Sequence, residues 1–270
     1  MFAKTAFLVS WGDDICIHSR YCHFSTVLLI LFARFTDIVY NYQKLSYFDS
    51  TVSIIWCNMN KLTEKVFECA PYGDFTSQDV ATLFPGSKDR RYGLVKRAIA
   101  SGEIIRICRG LYCLAPKYRK KSVNLYALAQ RVYGPSYISL ESALSWHGWI
   151  PEAVYTLTSV SFRKSKEFNT PLGVFSYVHV PQKVFYAGVE RLTDEDKNIF
   201  LMATPIKALA DYVYVHKKDW TGLKPVTESL RIEPEEFESV TSDDIGLLID
   251  NYASRRVQKF IKGLKKDLKL

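Results

Sequence analysis

The chain of 270 residues has six cysteines, yet no two are separated by just two residues as in CxxC and none carries histidine at zinc-finger spacing. A structural metal is therefore not expected, and reduced thiols in a cytoplasmic protein are the better reading. Nor does any apolar run approach the about 20 residues a membrane-spanning helix requires. The longest, STVLLILFA at 25–33, ends at Arg34 and Asp37. It begins after twenty-odd mixed residues and lacks the leading basic segment and trailing small residues of a secretory signal. Catalytic signatures are missing as well. There is no GxSxG elbow and no glycine loop to cradle phosphate. Glu141, Glu152, Glu167 and Asp211, with His147, His179 and His216, are scattered without metal-ligand spacing. Neither an enzyme nor a cofactor is expected.

What is present suffices for a folded protein of two domains. Hydrophobic residues make up 48% and aromatic residues 14% of the chain, enough for a substantial core. The net charge of +8 favours a polyanionic partner, and its distribution sharpens the point. Residues 87–121 hold eleven cations against Asp89 and Glu103, a local charge of +9 that exceeds that of the whole chain. Residues 254–270 hold seven cations against Asp267.

Residues 1–58 differ in character and are read as an atypical extension, an upstream stretch of reading frame that is untranslated or lacks a fold. Met59 opens MNKLTEKVFECA, which has the look of a natural domain start. Leu62, Val66, Phe67 and Ala70 recur at helical spacing, and Pro71, Gly73 and Asp74 then break the helix. A short second helix over Val80, Ala81, Leu83 and Phe84 has Thr76 or Ser77 as its cap and Pro85-Gly86 as its stop. A third starts at Ser87 and ends at Gly102, which suits the left-handed position just past a helix.

On that third helix Leu94, Val95, Ala98 and Ile99 are assigned to the packed arc and Arg90, Gly93, Lys96 and Arg97 to the cationic one. Arg91 projects toward the packed side, with a stem long enough to bend out to a phosphate. Gly93 in mid-helix costs about 1 kcal/mol against Ala, which a close backbone approach would explain. Taken alone, such a helix is a surface helix with a solvated face. The segment after Gly102 changes the reading. A strand over 103–107, a turn at 108–110 with Gly110 at positive φ, and a strand over 111–114 form a hairpin. Helix, basic helix and basic hairpin in that order are a winged helix. Its third helix enters the major groove and its wing touches the flank. Arg90 and Arg97 are the candidate base readers; Lys88, Lys96 and Arg109 are candidate phosphate contacts, with Arg91 and Arg106 beside them.

After the basic linker PKYRKK come a helix over 123–132, a turn at Gly134-Pro135, and a helix LESALSWHG capped by Ser139. In that helix His147 is a core or cap histidine, and Glu141 interacts with the helix dipole. Strands are expected over 154–161 and 174–180, and then a helix with Thr204 as N-cap and Pro205 at N1, facing a core through Leu209, Tyr212 and Val213. From Pro225 on the chain reads as helical. Ser242, Asp243 and Asp244 open one helix, and an amphipathic basic tail carries Phe260, Ile261, Leu264 and Leu268 on its apolar side. That tail either adds nonspecific affinity for nucleic acid or simply caps the fold, and capping is the preferred reading.

Five segments, DFTSQDVATL at 74–83, LVKRAIASGEIIRICRGLYCL at 94–114, YISLESALSWHGWIPE at 137–152, TLTSVSFRKSKEFNTPLGVFSYVHV at 156–180 and ATPIKALADYV at 203–213, together resemble the AbiEi-type antitoxins of bacterial type IV toxin-antitoxin (abortive infection) systems. The run 102–114 and the later SLESAL and HG carry the resemblance most strongly, and it covers about residues 62–213. The resemblance implies an antitoxin that represses its own promoter, binds double-stranded DNA, and counteracts a nucleotidyltransferase-like toxin without a stable complex, in phage defence.

The expected fold is thus α+β: an N-terminal winged helix-turn-helix with its basic linker at 59–121, then a mixed α/β antitoxin-type domain with a helical tail at 122–270. A stand-alone winged-helix regulator with a ligand- or partner-binding second domain is the alternative. A DNA-processing nuclease is the more distant one.

Overall fold

The computed structural model describes residues 59–70 and 72–270. The expectations for 1–58, and the helix-breaking role of Pro71, lie outside the described residues. Met59–Leu270 forms one compact unit, a mixed α+β structure with two sheets.

The first lobe begins with α1 (Lys61–Cys69), whose Leu62 and Val66 are fully buried. Its start is tied across the fold, because the Asn60 backbone N–H donates to Glu103 Oε2 at 2.9 Å. Strand β1 (Asp74–Thr76) follows, then α2 (Ser77–Leu83) and α3 (Lys88–Ala100). At the junction of β1 and α2 the Thr76 hydroxyl accepts from the Asp79 N–H at 3.2 Å while the Asp79 carboxylate accepts from the Thr76 N–H at 2.7 Å. This reciprocal capping box sets where α2 starts. Ser87 caps α3 and Gly102, at φ +71, lets the chain turn back after it. Strands β2 (Ile104–Cys108) and β3 (Leu111–Leu114) then pair antiparallel, and β3 also pairs with β1, giving a sheet of order β1-β3-β2.

This small sheet is packed on both faces. Phe75, Ile104 and Leu114 join Leu62, Val66, Val80, Val95 and Ala98 in the first lobe's core. Ile107, Leu111 and Cys113 belong instead to the large core of the second lobe. A bulge between Arg106 and Cys108 allows both Ile107 and Cys108 to face that larger core. The link is reinforced at the lobe boundary, where Arg131 pairs with Asp74 and the Tyr72 hydroxyl donates to the Lys197 carbonyl at 2.8 Å.

The second lobe has α4 (Leu125–Val132), β4 (Ser136–Ile138), α5 (Leu140–Trp146), β5 (Thr156–Ser161), β6 (Lys166–Thr170), β7 (Gly173–His179), β8 (Val189–Thr193), β9 (Ile199–Ala203), α6 (Pro205–Val215), α7 (Lys224–Leu230), α8 (Ser242–Ile249) and α9 (Arg255–Asp267). Its strands form one sheet of order β6-β7-β5-β4-β9-β8, with β5 parallel to β7 over six residue pairs and β4 parallel to β9. Helix α4 packs on β4, β5 and β9, while α6 is wrapped by α5, α8 and α9. The basic tail α9 buries Val257, Phe260, Ile261 and Leu264 and so closes the core, and its lysines face outward. No helix of the described residues is long and apolar enough to cross a membrane.

Two local expectations are corrected here. Ser139 precedes α5, but its hydroxyl does not cap the helix; it donates to Asp211 Oδ2 at 2.8 Å. Ile99 is 37% exposed, because it projects to the edge of the packed arc of α3.

Candidate nucleic-acid interface

Helix α3 is 13 residues long, about 20 Å at the usual rise. Val95 and Ala98 are buried against α1, α2 and β2, so the opposite side faces solvent. Lys88, Arg90, Lys96 and Arg97 are all exposed on it, and none forms an ion pair among the described residues. Asp89 is the one acid on this helix.

Among the described residues, no backbone outside its own helix approaches Gly93 closely. A Cβ there would meet only the Arg97 guanidinium, at 3.5 Å. The expected close backbone approach is therefore not supplied by the described residues, and the missing side chain leaves room for Arg97 to lie along the helix.

Arg91 is placed differently from its neighbours. It is half-buried, and its Nη1 donates to the Gly86 carbonyl at 2.6 Å, bracing the turn between α2 and α3. Tyr92 was not among the residues singled out from sequence, yet it is 69% exposed between the cations of α3. With Lys88, Gln78, Ala81 and Tyr112 it lines a groove of about 270 Å³ between α2 and α3. Its position one turn after Lys88 was the available signal.

The hairpin is short and anchored. Strand β2 extends through Cys108, so the turn reduces to Arg109 and Gly110, the latter at φ +82. The Gly110 carbonyl accepts from the Ser77 N–H at 2.9 Å, which clamps the tip to the first residue of α2. Arg106, opposite Tyr112, and Arg109 remain exposed. Strand β1 escaped the sequence reading because a single buried residue, Phe75, between two half-exposed ones is too short an alternation to detect.

The acids and histidines of the second lobe do not converge. Asp211 is fully buried and accepts from Tyr137 (2.9 Å), Ser139 (2.8 Å) and Tyr252 (2.7 Å), with Lys207 Nζ at 3.4 Å. Burial pushes the Lys207 ammonium below its ordinary range and the Asp211 carboxylate opposes that shift. Burial first, and the charge of Asp211 second, holds the Tyr137 and Tyr252 hydroxyls well above theirs. Elsewhere Glu141 receives the His216 ring at 2.9 Å, Glu152 pairs with Arg231 at 2.6 Å, and the His147 ring meets the Ala203 carbonyl at 3.1 Å. His179 lies 3.3 Å from the Ser161 carbonyl, and Glu167 is exposed. Among the described residues no three His, Cys, Asp or Glu side chains gather where a metal ion would be held.

A cavity of about 620 Å³ lies in the second lobe among Tyr126, Trp146, Tyr155, Phe175, Asp194 and Glu195. No protein-family model matches the chain, and no curated protein matches it.

Proposed function

We propose that residues 59–114 form a winged-helix module that binds double-stranded DNA, with α3 in the major groove and the β2–β3 hairpin as its wing. The observation that carries this reading is the outer face of α3, where Lys88, Arg90, Lys96 and Arg97 stand exposed without ion-pair partners among the described residues. Cations left free in this way are available to displace counterions from phosphate. The order of elements supports it: α2 and the clamped hairpin flank α3 and hold it rigidly for docking. In this reading Arg90 and Arg97 address base edges, Lys88, Lys96, Arg106 and Arg109 address phosphates, and Arg91 orients the turn before α3.

We further propose an AbiEi-type antitoxin that represses its own promoter in the cytoplasm and counteracts a nucleotidyltransferase-like toxin without a stable complex. That part rests on the resemblance of the segments from 137 to 213. A non-enzymatic role is part of the same reading, since the carboxylate of Asp211 is fully occupied by buried donors. Footprinting of the chain on the DNA upstream of its own gene tests the repressor; absence of protection there defeats it. Coexpression with a neighbouring nucleotidyltransferase tests the antitoxin, and persistent growth arrest defeats that part alone.

A stand-alone regulator is the second reading. The aromatic cavity of about 620 Å³ favours it, being of a size for a small effector.

A further inference from the structure

The outer edges of the two sheets meet where β2 of the first lobe runs beside β6 of the second. The turn that leads into β6, residues 162–165, passes over the end of β7. There the His179 N–H donates to Ser165 Oγ at 2.9 Å. This turn and the start of β6 carry Arg163, Lys164 and Lys166, all exposed and none in an ion pair among the described residues. Glu167 is the one acid on β6.

Two of these cations are held in place. The Arg163 guanidinium lies 5.9 Å from the centre of the Tyr133 ring, and Lys166 Nζ lies 4.6 Å from that of Phe168 and 6.0 Å from that of Tyr133. The Tyr133 hydroxyl donates to the Lys164 carbonyl at 3.2 Å, which fixes the backbone between them. Ring contacts of this kind orient a cation without neutralising it, so less side-chain freedom is lost when an anion arrives.

The position of the turn is as informative as its charge. Cys108, the last residue of β2 and neighbour of Arg109 at the hairpin tip, packs against the same large core as Tyr133 and Phe168, the rings that these cations approach. With β2 beside β6, the cations at 163, 164 and 166 stand on the part of the second lobe that adjoins the hairpin carrying Arg106 and Arg109. A duplex presents a phosphate charge for about every 1.7 Å of its axis, so cations on the adjoining lobe address backbone beyond the segment that α3 occupies. Single-stranded nucleic acid fits less well, because the Tyr133 and Phe168 rings are taken up by the cations and are not left as stacking platforms.

We propose that the segment 162–167 of the second lobe, beside the hairpin, is a second duplex contact that grips phosphates flanking the site of α3. This inference rests on the DNA-binding reading above.

The test measures binding of the full chain to mixed-sequence duplexes of about 12 and about 30 base pairs across a salt series. One variant carries Arg163→Gln, Lys164→Gln and Lys166→Gln, which keeps stems over the rings; the other carries Lys96→Gln and Arg97→Gln. The triple variant should lose roughly tenfold or more on the long duplex, with a salt slope shallower by about 2 to 3, and stay near wild type on the short one. Lys164→Gln alone, at a position whose side chain makes no ring contact among the described residues, should reduce the slope by about one. The α3 variant should weaken on both duplexes.

A wild-type slope in the triple variant on the long duplex, with the α3 variant still impaired, overturns this inference and leaves the DNA reading standing. Equal losses on both duplexes, or a loss confined to single-stranded RNA, also overturn it. Wild-type protein that binds neither duplex overturns the DNA reading and this inference together.

Discussion

Lys207 Nζ lies 3.4 Å from Asp211 Oδ1, one turn apart on α6, and both side chains are wholly shielded from solvent. Tyr252 bridges them, accepting from Lys207 at 2.6 Å and donating to Asp211 at 2.7 Å. Because Tyr252 follows α8, Tyr137 lies on β4 and Ser139 precedes α5, this one network pins sheet and helices together. A buried ion pair contributes little net stability over apolar packing, but losing one partner strands the other charge.

Asp211→Ala should therefore destabilise the protein by about 3 to 5 kcal/mol. Urea unfolding of Asp211→Ala, Lys207→Met and the pair together measures it, and the double change should cost less than the two single losses combined. A pH series adds a signed check. Burial holds Lys207 below its ordinary value of 10.5 against the attraction of Asp211, and Asp211→Asn removes that attraction. The folded variant then binds fewer protons than the unfolded chain, so its deficit relative to wild type should be greatest near neutrality and shrink as pH climbs toward the lysine range. A deficit independent of pH counts against a charged Lys207.

At the interface, Arg97→Ala should flatten sequence preference, costing about 1 to 3 kcal/mol on a preferred site and less on others. Lys96→Ala should weaken every duplex alike and make the salt slope shallower by about one. Anisotropy titrations with several sequences separate the two, and identical behaviour of both variants would refute the division of labour.

Glu103 is 3% exposed and accepts from the Asn60 N–H and, at 2.9 Å, from the Ser101 hydroxyl. Burial alone would raise its carboxyl, but the polar groups of Thr63, Asn60 and Ser101 around it outweigh that and leave it below the ordinary 4.5. With a folded value below the unfolded one, its contribution is complete above about 4.5 and disappears as pH falls through the folded value. Glu103→Gln should remove part of the acid sensitivity of the first lobe and cost about 1 to 3 kcal/mol at neutral pH. Acid titration of unfolding, wild type against variant, gives the answer.

Among the cysteines of the described residues, Cys69 is exposed whereas Cys113 is buried, and burial pushes the Cys113 thiol up to about 11. Thiolate is the reactive form. Peptide-resolved alkylation at pH 8 should mark Cys69 well before Cys113, with Cys108 between them, since its thiol is raised by partial burial despite Arg106 and Lys166. Fast labelling of Cys113 in native protein would show that the sheet between the lobes opens.

Local chemistry determined much of this protein by itself. The caps at Thr76, Ser87 and Thr204, the stops at Gly86 and Gly102, the positive φ at Gly110 and the basic face of α3 all depend on residues within a few positions of each other. Strands β4, β8 and β9 were not legible, because short segments such as Ser136–Ile138 take their state from neighbours far away in the chain. The acids tell the same story. Lys207 and Asp211, spaced i and i+4, read locally as an ordinary surface pair. Only the burial of α6 among α5, α8 and α9, with hydroxyls arriving from β4, the residue before α5 and Tyr252 beyond α8, turns that pair into an internal bolt. The tertiary structure likewise decided the reach of the basic surface. Sequence separates Arg109 from Arg163 by 54 positions, yet the strands next to them, β2 and β6, meet in the fold.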